Sequence, residues 1–106
     1  MYYIVSELPH EYINLFDFGN VSAFTIRGKL KLMSGGQEGV YIKSMSLVKG
    51  DLLKAWFKFR KNISLKSVKT EEVYIFPLGL LTLLEKRNLI RKLDESETAG
   101  IEFGII

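Results

Sequence analysis

KGDLLKAWFKFRKN, residues 49–62, sets five basic and three aromatic residues into fourteen positions. Whether it is helix or strand decides the fold, because β-prone segments flank it on both sides. Gly50 and Asp51 end one element, and an Asp51 carboxylate can cap a helix by accepting from exposed backbone N–H groups. Leu52, Leu53, Trp56 and Phe57 recur at three- and four-residue spacing, an apolar stripe. Lys54, Lys58 and Lys61 take the opposite flank. Against this, Phe57, Lys58 and Phe59 alternate, and aromatic residues favour sheets. Cap and stripe together predict a helix. Trp56 and Phe57 then face a core, while Phe59, off the stripe, is exposed beside the lysines.

Working outward, YYIVS at 2–6 reads as a first strand. EYINLF at 11–16 reads as a helical turn, broken at Gly19–Asn20. In residues 21–33, Phe24, Ile26, Leu30 and Leu32 share one face and Thr25, Arg27, Lys29 and Lys31 the other. That is the strongest period-two pattern of the chain. Gly28 within it marks a bulge or bend. SGGQEG at 34–39 joins this strand to a returning one at 40–48, a hairpin.

Beyond the central stretch, residues 63–68 and 71–78 read as strands. Thr82 opens a second helix running to about Leu93, residues 94–100 form a loop, and IEFGII at 101–106 forms a closing strand. The expectation is one compact α+β domain over residues 1–106. Five to six mostly antiparallel strands make one sheet, with two helices packed on it.

With 106 residues, 47% hydrophobic and 25% charged, the chain has the composition of a folded domain rather than a disordered one. A domain this size buries over ~60% of its unfolded surface. The absence of cysteine excludes disulfides and thiolate metal sites. One histidine, His10, cannot build a histidine-rich metal site. No stretch reaches the ~20 apolar residues of a membrane span. MYYIVSELPHEY lacks the basic head and cleavage site of a signal peptide. The expected location is intracellular, without membrane association.

Catalytic signatures are missing. SGGQEG leads into a strand instead of ending in Gly-Lys-Ser/Thr before a helix, so it is no phosphate cradle. Glu71 and Glu72, adjacent on a strand, point to opposite faces and do not cooperate as acid and base. Asp94, Glu95 and Glu97 lack a calcium-loop spacing. His10 has no evident nucleophile to serve. The reading is a non-enzymatic protein with no catalytic residues, no metal and no cofactor.

Charge is segregated along the chain. Residues 1–26 carry three acids and no base; residues 27–69 carry eleven bases against two acids, a net +9; residues 70–106 return to −3. Cations that neutralise phosphates, beside aromatic faces for unpaired bases, are the chemistry of nucleic-acid binding. The candidate interface is Arg27, Lys29, Lys31, Lys54, Lys58, Phe59, Arg60 and Lys61, touching DNA or RNA backbone with little sequence preference. Lysine acts as a point charge, whereas base reading favours arginine. The alternative is a protein-interaction module or homodimer paired through the edge strand 101–106, in a host-interaction or anti-defence role.

Two resemblances add to this. With a single glutamine among many isoleucines, lysines and glutamates, the composition resembles small orphan proteins of viruses that infect hot-spring archaea. That implies a viral or thermophile origin and, if viral, the host cytoplasm. EEVYIFPLGLL, a helix and IEFGII also look somewhat like the C-terminal third of the viral ring nucleases, small α+β dimers that cleave cyclic tetra-adenylate. Their glycine-histidine motif is absent: the corresponding helix begins Lys49-Gly50-Asp51. No catalytic residue carries over, and a ring-nuclease-like enzyme is an outside alternative.

Overall fold

The computed structural model describes residues 1–35, 43–102 and 104, apart from the side chains of Lys43, Trp56, Phe57 and Phe59. Its elements are β1 (Tyr2–Val5), β2 (Ile13–Phe18), β3 (Val21–Ile26), β4 (Lys29–Ser34), β5 (Lys43–Val48), β6 (Leu52–Phe59), β7 (Asn62–Ser67), β8 (Val73–Pro77), α1 (Leu78–Lys86), β9 (Ile90–Lys92) and α2 (Glu95–Glu102). The α+β expectation with two helices and antiparallel pairing holds. The strands form two sheets, however, ordered β8-β7-β6-β1-β9 and β2-β3-β4-β5, instead of one sheet of five to six.

Each sheet buries one face in a shared core. The five-stranded sheet contributes Tyr3, Val5, Leu53, Ala55, Ile63, Leu65, Tyr74 and Phe76; the four-stranded sheet contributes Ala23, Leu30, Leu32, Met45 and Leu47. Helix α1 adds Leu80, Leu81 and Leu84. Thr25, fully buried, donates from Oγ1 to the Glu11 carbonyl at 3.1 Å, which satisfies its hydroxyl.

The stretch 49–62 is a strand. Asp51 caps no helix: its Oδ2 accepts from the Val48 N–H at 2.9 Å and closes the corner between β5 and β6. Leu53 and Ala55 face the core, while Lys54 faces outward opposite Lys66. A bulge between Ala55 and Phe57 then inserts one residue and restarts the alternation. That insertion imitates helical spacing and hides the strand. The expectations for the Trp56, Phe57 and Phe59 side chains lie outside the described residues.

Residues 21–33 also differ, since they are two strands. Ile26 pairs with Lys29 across the two-residue loop Arg27–Gly28, where both residues have positive φ (52° and 74°). This is the turn chirality that matches strand twist. Gly28 suits it, because a Cβ there would also meet His10 Cε1 at 3.2 Å. The turn is held by Arg27 N–H to His10 O (2.7 Å) and Gly28 N–H to Pro9 O (3.1 Å). Counting across a turn reverses the faces. Ala23, Thr25, Leu30 and Leu32 point inward; Phe24, Ile26, Lys29 and Lys31 point outward.

Three further expectations change. Residues 13–18 extend as β2, an edge strand, not a helical turn. The second helix starts after Pro77 and ends early: Asn88 takes φ 59°, Leu89 N–H bonds Leu84 O and Asn88 N–H bonds Glu85 O. This left-handed cap terminates the helix, freeing Ile90–Lys92 to pair with β1. The segment 94–100 forms most of α2 instead of a loop. There Asp94 Oδ1 accepts from Glu97 N–H (2.8 Å) and Glu97 Oε1 from Asp94 N–H (3.3 Å), a reciprocal cap. Ile101 and Glu102 belong to that helix, so they are not part of a closing strand, and Gly104 lies in a turn. Residues 103, 105 and 106 lie outside the described residues.

Tyr74 latches the sheets together, its hydroxyl bonded to the Ser44 carbonyl of β5 and to Glu72 Oε2. Burial, then the Glu72 hydrogen bond and charge, push this phenol up to about 12. A raised phenol favours the neutral form in the folded state, so its stabilisation is complete below pH 10 and is lost as pH rises towards about 12. Tyr74→Phe is expected to cost ~1–2 kcal/mol at pH 8 by orphaning the Ser44 carbonyl. Urea unfolding of both proteins should show that gap closing above pH 10; a pH-independent gap would refute the latch.

Candidate nucleic-acid interface

The outward face of the four-stranded sheet is arranged in rows set by its register. Asn14, Phe24, Lys31 and Ser46 stand side by side on β2, β3, β4 and β5. Ile26, Lys29 and Val48 form the next row, and Asp17, Ser22, Met33 and Ser44 the row on the other side. At ~4.8 Å between strands, the Asn14–Ser46 row is about 14 Å long. Tyr12, just before β2, is 62% exposed and packs its ring on Phe24 with centroids 5.4 Å apart and planes tilted by 40°. The face therefore carries two aromatic rings, two lysines about 7 Å apart along one strand, and Arg27 in the adjoining turn.

The expected interface divides into separate parts. Arg27, Lys29 and Lys31 come together on this face and its turn. Lys54 lies on the outer face of the other sheet, its Nζ 5.7 Å from the Tyr2 ring centroid. There it shares a cleft of about 420 Å3 with Lys66, Glu71 and Glu102, a balanced set of charges. Lys58 pairs with Ile63, on the core-facing side of β6 but exposed at its end. Arg60 and Lys61 form the β6–β7 turn, with Arg60 at φ 57°. The eight residues of β6 set that turn roughly 25 Å from the Asp51 corner near Lys29.

Ion pairs account for other charges. Lys49 Nζ meets Glu7 Oε2 at 2.7 Å, both exposed; the hydrogen bond and charge of Lys49 hold Glu7 below the usual carboxylate range and raise Lys49. Arg91 grips Glu97 through two bonds of 3.0 and 3.1 Å, which brace the cap of α2. Lys29, Lys31 and Lys69 have no ion pair among the described residues. No group of three or more His, Asp or Glu gathers into a metal site among the described residues. Nor is any described helix long and apolar enough to cross a membrane.

Tyr12 and Phe24 are the residues that sequence reasoning missed. A helical turn over residues 11–16 hides Tyr12, and carrying the period through Arg27–Gly28 turns Phe24 inward. A glycine in the second position of a two-residue turn was the available signal. No family model, curated protein or solved structure matches this chain.

Proposed function

We propose that the protein binds single-stranded nucleic acid on the outward face of β2–β5, with little sequence preference. The observation that carries this reading is the exposed Tyr12 ring packed on the half-buried ring of Phe24, which shares a register row with Lys31, with Lys29 and Arg27 alongside. Unpaired bases stack on the rings, while the cations follow the phosphates. Of the eight residues expected from sequence, Arg27, Lys29 and Lys31 belong to this face. Lys54, Lys58, Arg60 and Lys61 act at most as outlying contacts, because β6 spreads them over two faces and a distant turn, and the Phe59 side chain lies outside the described residues.

A second reading, association with another protein or with a second copy, draws on β2 itself. It is an edge strand, and Phe18 at its end is 74% exposed with its ring 6.4 Å from Phe16. Exposed edges invite strand pairing.

Anisotropy titrations with labelled single- and double-stranded oligonucleotides at several salt concentrations test the first reading. Single strands should bind tighter, with affinity falling steeply as salt rises. Tyr12→Ala should weaken binding by ~1–3 kcal/mol while leaving the melting temperature unchanged. The absence of binding at low salt would refute the proposal. For the second reading, sedimentation should show a dimer that Phe18→Lys dissociates; a monomer at all concentrations removes self-association.

A further inference from the structure

The five-stranded sheet ends at β8, which has β7 on one side and no strand on the other among the described residues. Tyr74 and Phe76 of β8 fill the core, while Val73, Ile75 and Pro77 point outward. Ile75 is 64% exposed and Val73 38%, so this margin of the sheet carries apolar surface. The ladder fixes where the backbone groups point. Ser67 N–H bonds Glu72 O, and Leu78 N–H bonds Lys61 O. Bonded pairs alternate along an antiparallel ladder, so residues 72, 74, 76 and 78 turn their backbone groups to β7. Val73, Ile75 and Pro77 turn theirs to the open edge.

Sheet edges are protected by bulges, shortness or cover. The other edges of this fold have such protection. β2 is bulged at Leu15, β9 has three residues, and β5 is bonded through the Ser44 carbonyl to Tyr74 of the other sheet. β8 keeps an unbroken register with β7 over its full length. Only Pro77, at one end, lacks a donor.

We propose that β8 pairs antiparallel with β8 of a second copy, about a twofold axis at Ile75, which joins the two five-stranded sheets into one. Ile75 and the partner's Ile75 then exchange backbone bonds both ways. Each Val73 N–H reaches the partner's Pro77 carbonyl, so the proline leaves only a Val73 acceptor to solvent at each end. On the outward face Ile75 meets the partner's Ile75, and Val73 the partner's Pro77, so the exposed apolar groups cover one another. Charge fits the same register. Continued by one residue, it sets Glu72 opposite the partner's Leu78 and about 10 Å, two strand spacings, from the partner's Lys61. Glu72 keeps its charge while bonded to the Tyr74 hydroxyl, and Lys61 has no ion pair among the described residues. The axis repeats this match at the other end. The proposal goes beyond the readings above: it places self-association on β8 instead of β2 and uses no residue of the stacking face.

The chain has no cysteine, so Ile75→Cys can form a disulfide only between copies. Bonded pairs stand ~5.5 Å apart at Cα, within disulfide range. Under mild oxidation Ile75→Cys should cross-link into a dimer faster than Phe18→Cys, a control at least as exposed. Sedimentation of the unaltered chain over a wide range of concentration should show a monomer–dimer equilibrium. Ile75→Lys, which opposes two ammonium groups at the axis, should weaken it by more than about tenfold. Lys61→Glu should weaken it less, and Phe18→Lys not at all; the β2 reading predicts the reverse for Phe18 and Ile75. These side chains are exposed, so the variants keep the fold. A dimer that Phe18→Lys dissociates and Ile75→Lys does not overturns the proposal. So does a chain that stays monomeric while the two cysteine variants cross-link at the same rate.

Discussion

The fold depends on a three-residue corner. Between Val48 and Leu52 the chain leaves one sheet and enters the other, with Gly50 at φ 92° and Asp51 bonded to Val48 through its backbone N–H and its carboxylate. Val5 fastens this corner from the other side, giving its N–H to Asp51 O and its carbonyl to Gly50 N–H, each at 2.9 Å. The register of β1 against β6, Ile4 opposite Leu52, follows directly. A slip of one residue would turn Leu53 outward and Lys54 into the core. Pinning this corner therefore orients both sheets towards one interior.

Much of the strand content was legible because alternation is a local signal. The strands expected at 2–6, 40–48, 63–68 and 71–78 stand at 2–5, 43–48, 62–67 and 73–77, and β4 and β5 pair as the hairpin expects, while residues 36–42 of its connection and return lie outside the described residues. Two of the errors share a cause: a shift in the phase of the alternation. A bulge causes it in β6, after Leu53 and Ala55, and a two-residue turn causes it at Arg27–Gly28. Helix limits failed for a different reason. Asn88 in the left-handed region and the reciprocal Asp94–Glu97 bonds are capping events. Their residues were in plain view, but a flanking acidic cluster reads equally as a loop.

The candidate site was legible only in part. A net +9 over residues 27–69 is a property of the chain, not of a surface. Strands divide such a segment between two faces and two ends, whereas a helix would have collected Lys54, Lys58 and Lys61 on one flank. What survives is the group whose members share one strand and its turn, Arg27, Lys29 and Lys31. The aromatic partners came from elsewhere in sequence, because Tyr12 and Phe24 meet only through β2–β3 pairing.

The shape of that surface constrains what it can hold. A duplex buries the faces of its bases in its own stack, so rings standing on a sheet give it nothing to bind beyond its phosphates. A single strand offers bases and backbone together, and the rows of β2–β5 present rings and cations side by side across about 14 Å. Lysine in place of arginine at positions 29 and 31 fits the same ligand. A compact ammonium follows a phosphate without demanding a fixed planar partner, so a strand held through such contacts alone would be bound without its sequence being read.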